Sequence, residues 1–216
     1  FGFWAWFRAT CKGLLLTLNA IYAVIPNYGV AIILLTIIVK MVFWPITHKS
    51  TESMKKMQSI KPEVDALREK YKDDAKRIQQ ETMLLYRQHG VNPLAGCLPM
   101  VVQIPVFIAL FTVLRSAVEL RFAEFLWIQD LSEPEGLLQG LPFIGSLNIL
   151  PIFMTASMMW QQQLTPSGGD PQQKRMMMFM PAIMLMLFYN MASALVLYWS
   201  VSQALSIVQL LMQRRK

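Results

Sequence analysis

The chain has 216 residues, 55% hydrophobic and only 15% charged, and 20 Lys and Arg against 13 Asp and Glu give it a net charge of +7. Soluble domains carry about 25% charged residues; here the charges fall in blocks between apolar runs, which points to a polytopic membrane protein. HExxH, GxSxG and P-loop motifs are all missing, so nothing supports hydrolysis or nucleotide use, no cofactor or metal is expected, and the chain does not read as an enzyme.

Residues 1–27 hold "FGFWAWF" and "LLLTLNAIYAVI", with Arg8 and Lys12 between them. They predict an amphipathic interfacial helix with its tryptophans at headgroup depth. "PNYG" (26–29) breaks it. The alternative, one kinked span from Leu14 to Val39, would leave Asn27 and Gly29 in the hydrocarbon. The first core span is placed at 28–47. Its apolar part, Val30 to Ile46, is roughly 25 Å long at helical rise and contains Lys40. Pro45 reads as a helix-end feature.

Residues 48–93 are hydrophilic and predict a helical hairpin outside the membrane. Its first helix, near Ser50 to Tyr71, is broken or kinked at Pro62. Asp73 or Asp74 caps the second, Ala75 to Gln88, which Gly90 and "NP" end. A second span follows at 94–118 with Pro99 and Pro105 inside it, then a polar connection at 119–146. A third span (147–163), a turn (164–175), a fourth span (176–192), a fifth (193–213) and a basic tail (214–216) complete the chain. The fold class is therefore all-α, with five transmembrane helices. Cys11 and Cys97 read as buried small side chains, and His48 and His89 as lone histidines, because no metal-ligand spacing joins them.

Orientation follows from lysine and arginine in the connections. The hairpin holds ten, the turn two and the tail three, whereas 119–146 holds Arg121 alone against five acids. Five spans place the hairpin, turn and tail on one side, which is then cytoplasmic, with 119–146 periplasmic.

Lys40 lies roughly 9 Å from the cytoplasmic end of its span. A charge there costs about 2.5–3.5 kcal/mol on insertion scales. Taken alone, Lys40 fits a snorkelling anchor as well as a functional charge. Other polar residues share its depth. Gln103 sits in the second span and Gln162 ends the third. On the fifth span Trp199, Ser202, Ser206, Gln209 and Gln213 fall within an arc of roughly 80°, with Gln203 beside them. Ser and Gln can serve helix packing, but one stripe, two glutamines and a lysine at one depth favour a shared wet cavity. The fourth span, "MMMFMPAIMLMLFYNM", offers Met177, Met180, Met184 and Phe188 as an apolar wall along which varied segments can slide.

The stretches "IIVKMVFWPIT", "VNPLAGCLPMVVQIPVFIALF", "SAVELRFAEFLWIQDLS", "DPQQKRMMMFMP" and "LVLYWSVSQ", in this order, resemble the YidC-type membrane protein insertases, and "AEFLWIQDLS" looks most like their Gram-negative branch. The resemblance implies five core spans around a hydrophilic groove open to the cytoplasm. In that branch an extra span and a periplasmic domain precede the core, which suits a chain that opens at Phe1. It implies an inner-membrane insertase and chaperone. Its partners would be nascent membrane proteins, the ribosome and targeting factors, the Sec translocon and the lipid bilayer, with no specific nucleic-acid sequence. The family's groove cation, typically arginine, falls on Lys40, which keeps the charge without the planar fork. Trp199 matches a groove-lining aromatic; Gln103 and Gln162 match polar groove positions. From a different class, a small solute transporter or ion channel would use Lys40 as an anion or proton site.

Overall fold

The computed structural model describes residues 2–72, 74–92, 95, 98–141, 145–165 and 171–214. Asp73, Cys97, residues 166–170 of the predicted turn, and Arg215 and Lys216 of the predicted tail lie outside them. Helix α1 (Gly2–Val24) ends before Pro26, and α2 (Tyr28–Ser59) starts anew. Asn27 caps α2, its side chain accepting from Val30 N–H at 3.0 Å. The chain therefore does not run as one kinked helix from Leu14. Rather than standing apart from the bundle, α1 packs on α2 and on α5 (Leu98–Ser116).

Helix α2 corrects the reading of Pro45. The helix does not stop there; it continues through the first hydrophilic residues to Ser59. At about 1.5 Å per residue it is roughly 48 Å long, well beyond a hydrocarbon core of about 30 Å. A proline inside a helix frees the carbonyl four residues back. Here the Thr47 hydroxyl donates to the Phe43 and Trp44 carbonyls, 3.1 Å each, adding local bonds at the defect.

The break near Pro62 falls at Ile60, and α3 (Lys61–Lys70) carries Pro62 in its first turn, where its missing N–H is harmless. Helix α4 (Ala75–Gln88) is capped by Asp74, which accepts from Arg77 N–H at 3.0 Å. Met57, Ile60, Val64, Tyr86 and Val91 form a small core of their own between these helices. Helix α5 starts later than the predicted second span. Pro99 consequently lies in its first turn and only Pro105 is internal.

The connection after α5 is more ordered than its polar sequence implied. It contains a short 3₁₀ turn (Val118–Leu120) and an antiparallel hairpin of β1 (Leu137–Leu141) and β2 (Gly145–Leu147). Phe125, Ile128 and Leu131 tuck from it into the main core. Its carbonyls also receive the first amides of α8 (Ser193–Arg214): Ser193 N–H donates to Glu133 and Ala194 N–H to Leu131, 2.9 Å each. Those amides have no partner within their own helix.

Helices α6 (Ile149–Leu164) and α7 (Pro171–Phe188) complete the bundle, and α8 is its centre, packing most extensively on α6 and α2. Asn148 anchors the end of the bundle against which the connection packs. It is fully buried, accepts from Gly136 N–H at 3.0 Å and donates to the Tyr189 carbonyl at 2.6 Å. Asn148→Ala would strand both backbone groups, a cost of about 3 kcal/mol. Thermal unfolding in detergent should show Tm lowered by several degrees, and an unchanged Tm would mean that water replaces the side chain.

Candidate functional site: a polar cavity inside the bundle

Two adjoining cavities, about 270 and 390 Å³, lie between α2, α5, α6, α7 and α8. Lys40, Gln103, Gln161 and Ser206 line both. The smaller extends to Thr47, Gln162, Met177 and Gln209. The larger extends to Met180, Met184, Phe188, Trp199, Ser202 and Gln203. Of the residues singled out from sequence, all but Gln213 border these two adjoining cavities.

Helix α2 brings Lys40 against α8, where its ammonium donates to the Ser206 hydroxyl at 2.9 Å. Ser206 in turn donates to the Ser202 carbonyl at 2.9 Å. One turn further in, Gln209 Nε2 donates to Thr47 Oγ1 at 3.0 Å, and beyond it Lys55 Nζ donates to the Gln213 carbonyl. The polar stripe of α8 therefore faces α2. Among the described residues no carboxylate pairs with Lys40, so the cavity presents a cation without a counter-charge. Its field attracts anions and repels cations.

The two glutamines have different partners. Gln103 Nε2 donates to the Tyr198 hydroxyl at 2.6 Å, and Gln162 Nε2 donates to the Met177 carbonyl at 2.7 Å, tying α6 to α7. Trp199 closes the larger cavity with an edge-to-face contact to Phe107 (5.2 Å between centroids) and a tilted one to Phe188 (5.3 Å). Among the described residues its indole N–H and the Ser200 hydroxyl are buried without a partner. Such groups are costly unless water or a ligand meets them.

The methionine wall faces inward. Met180 and Met184 are half-buried against the core, Met177 lines the smaller cavity, and Phe188 is 1% exposed. The outward face of α7 is a second apolar set, Met176, Phe179, Ile183 and Met186. Sequence reasoning left out Thr47, Gln161 and Tyr198. Thr47 lies one helical repeat of seven from Lys40, a usable signal; Tyr198 sits in an apolar run and gave none.

Among the described residues three helices, Tyr28–Ser59, Leu98–Arg115 and Ser193–Gln213, are long and apolar enough to cross a membrane, with a shorter apolar helix at Arg175–Phe188. Apolar helices that enclose a cationic, hydroxyl- and amide-lined cavity define a multi-pass membrane protein with a polar interior. Residues 20–216 match the family described as 60Kd inner membrane protein, and the chain belongs to that family. It is 49% identical over 209 residues to the membrane protein insertase YidC of Syntrophobacter fumaroxidans, and 51% identical over 208 residues to that of Pelobacter propionicus. These alignments cover 95% and 94% of this chain but 38% of each relative, so the chain spans well under half of their length. A solved structure, "Active YidC insertase crystal structure with the first transmembrane domain resolved", superposes with a TM-score of 0.71 at 31% identity, covering 96% of this chain and 46% of that one.

Proposed function

We propose that the chain forms the membrane core of an insertase that moves hydrophobic segments of nascent proteins, with their short polar tails, into the inner membrane. The observation that carries this reading is Lys40, an uncompensated cation in a polar cavity walled by apolar helices. In the proposed layout α2, α5, α6, α7 and α8 are the five spans. The α3–α4 hairpin and the basic tail face the cytoplasm, and 119–146 faces the periplasm, as the lysine and arginine bias supports. The cavity then opens toward the cytoplasm and closes outside.

A polar tail that enters such a groove keeps its hydration over part of the crossing, which shortens the path on which desolvation is costly. Lys40 attracts Asp or Glu in that tail, and Ser206, Gln103 and the free Trp199 N–H offer it hydrogen bonds. Met180 and Met184 line the groove with adaptable apolar surface for the segment that follows, and the outward face of α7 leads on to lipid. Burial of about 20 apolar residues drives the process without a nucleotide. The hairpin guards the groove mouth or receives targeting factors and the ribosome, and the Sec translocon is a further partner.

The test is reconstitution of the chain in liposomes with a single-span substrate bearing an acidic tail. Protease protection of the tail is expected. Solute flux without insertion would instead support a transporter or channel.

A further inference from the structure

A third cavity, about 540 Å³, lies at the opposite end of the bundle between the end of α5, the start of α8 and the connection. Two guanidiniums, Arg115 and Arg121, line it together with Ser132 and Asn190. Phe111 and Leu195 supply apolar wall. Its volume is within the roughly 300–1,000 Å³ of small-molecule sites. It is distinct from the groove. Gln103 and Arg115 are twelve residues apart on one helix, roughly 18 Å at helical rise, and the Phe107–Phe188–Trp199 ring cluster borders the groove cavity, not this one.

The charge is not cancelled inside the molecule. Among the described residues neither arginine forms an ion pair, and Arg115 rests over the Phe111 ring at 5.7 Å. The Arg121 charge acts on Asp130 in the connection. Partial burial alone would raise its carboxyl, but the Ser132 hydroxyl and amide and the Arg121 charge hold it below the usual carboxylate range. Among the described residues that line the cavity, the two guanidiniums are the only charged side chains.

Two surroundings say what kind of anion fits. Ile104, Ile108, Phe111 and Arg115 follow at spacings of four, three and four along α5, which aligns them on one face. Ile104 and Ile108 are about half exposed, so an apolar strip descends from the cationic end toward mid-bundle. Beside the cavity, Phe122 and Leu126 are held in left-handed backbone (φ 60° and 53°) with their side chains 82% and 75% exposed. Exposed aromatic and aliphatic side chains around a helix end suit the headgroup region of a bilayer.

We propose that this cavity binds an anionic phospholipid of the surrounding membrane. Arg115 and Arg121 grip the phosphodiester, Asn190 hydrogen-bonds the headgroup, and an acyl chain lies along Phe111 and Ile108. Arginine favours this because its fork matches phosphate oxygens in pairs.

The test is native mass spectrometry of the full chain released from micelles carrying equal phosphatidylglycerol and phosphatidylcholine. The unmodified chain should retain phosphatidylglycerol in preference. The double variant Arg115→Gln, Arg121→Gln should retain about tenfold less, while Lys72→Gln on the exposed hairpin should not change retention. Ala192→Phe, which fills the cavity and keeps both charges, should also lose the lipid, so the proposal remains testable should the arginine variant misfold. Millimolar inorganic phosphate or glycerol 3-phosphate should fail to displace the lipid. Retention at the unmodified level by both the arginine and the Ala192 variants would overturn the site, and full displacement by either soluble anion would make it a free-phosphate site. Insertion activity does not enter the readout, so the outcome is independent of the proposed groove function.

Discussion

Lys40→Ala is expected to lower insertion of substrates with acidic tails about tenfold, and Lys40→Arg to leave it near the unmodified level. At an effective dielectric of about 20, opposite charges 4 Å apart attract by about 4 kcal/mol, against about 1 kcal/mol in water. Even a third of that gain at the barrier is about tenfold in rate. The ammonium's bond to Ser206 does not remove this pull, because a hydroxyl carries no counter-charge. Stability should move the other way. Removing an unpaired charge at membrane depth relieves a cost of about 2.5–3.5 kcal/mol, so the Ala variant should fold at least as well. Protease protection of matched substrates with acidic and neutral tails separates the effects. Equal insertion of the acidic tail by the Ala variant would remove charge attraction from the mechanism.

The second large effect is expected at Gly29, in the first turn of α2. A Cβ built there would lie 2.0 Å from Cγ of Phe125 and 2.6 Å from its Cβ. Phe125 cannot easily retreat, because its backbone is bonded in both directions to Ile128 at 2.9 Å and its ring is part of the core. Gly29→Ala should therefore force the connection off the bundle at a cost of about 3 kcal/mol or more. Gly13 gives the matched comparison: nothing lies within 4 Å of its Cβ position. Gly13→Ala in α1 should stabilise by about 0.5–1 kcal/mol, since alanine is the better helix former. Unfolding in detergent reads both, and proteolysis within 119–146 should accelerate only for Gly29→Ala. If the two substitutions behaved alike, the Phe125 contact would have no part in holding the connection on the bundle.

The sequence by itself determined where the chain must be apolar and where it must turn. The "PNYG" break and an aspartate just before Ala75 were legible as helix boundaries, because proline and glycine interrupt a helix and a short polar side chain satisfies a free amide at the next start. Lys40, Gln103, Gln162 and the α8 stripe were legible as costly groups at one depth, since a polar group in hydrocarbon demands a reason.

Only the tertiary structure decided which faces meet. Lys40 and Ser206 are 166 positions apart, and no local pattern pairs them. In α7 both the cavity side and the outer side are methionine and aliphatic, so the sequence grouped Met177, Met180, Met184 and Phe188 on one face but did not show that this face, rather than that of Phe179, turns inward. A helix that is apolar all round carries no periodic signal of its packed face, because lipid and protein interior are equally apolar. Gly29 beneath Phe125 shares this origin: it depends on a neighbour distant in sequence, and packing rather than composition brings that neighbour into place.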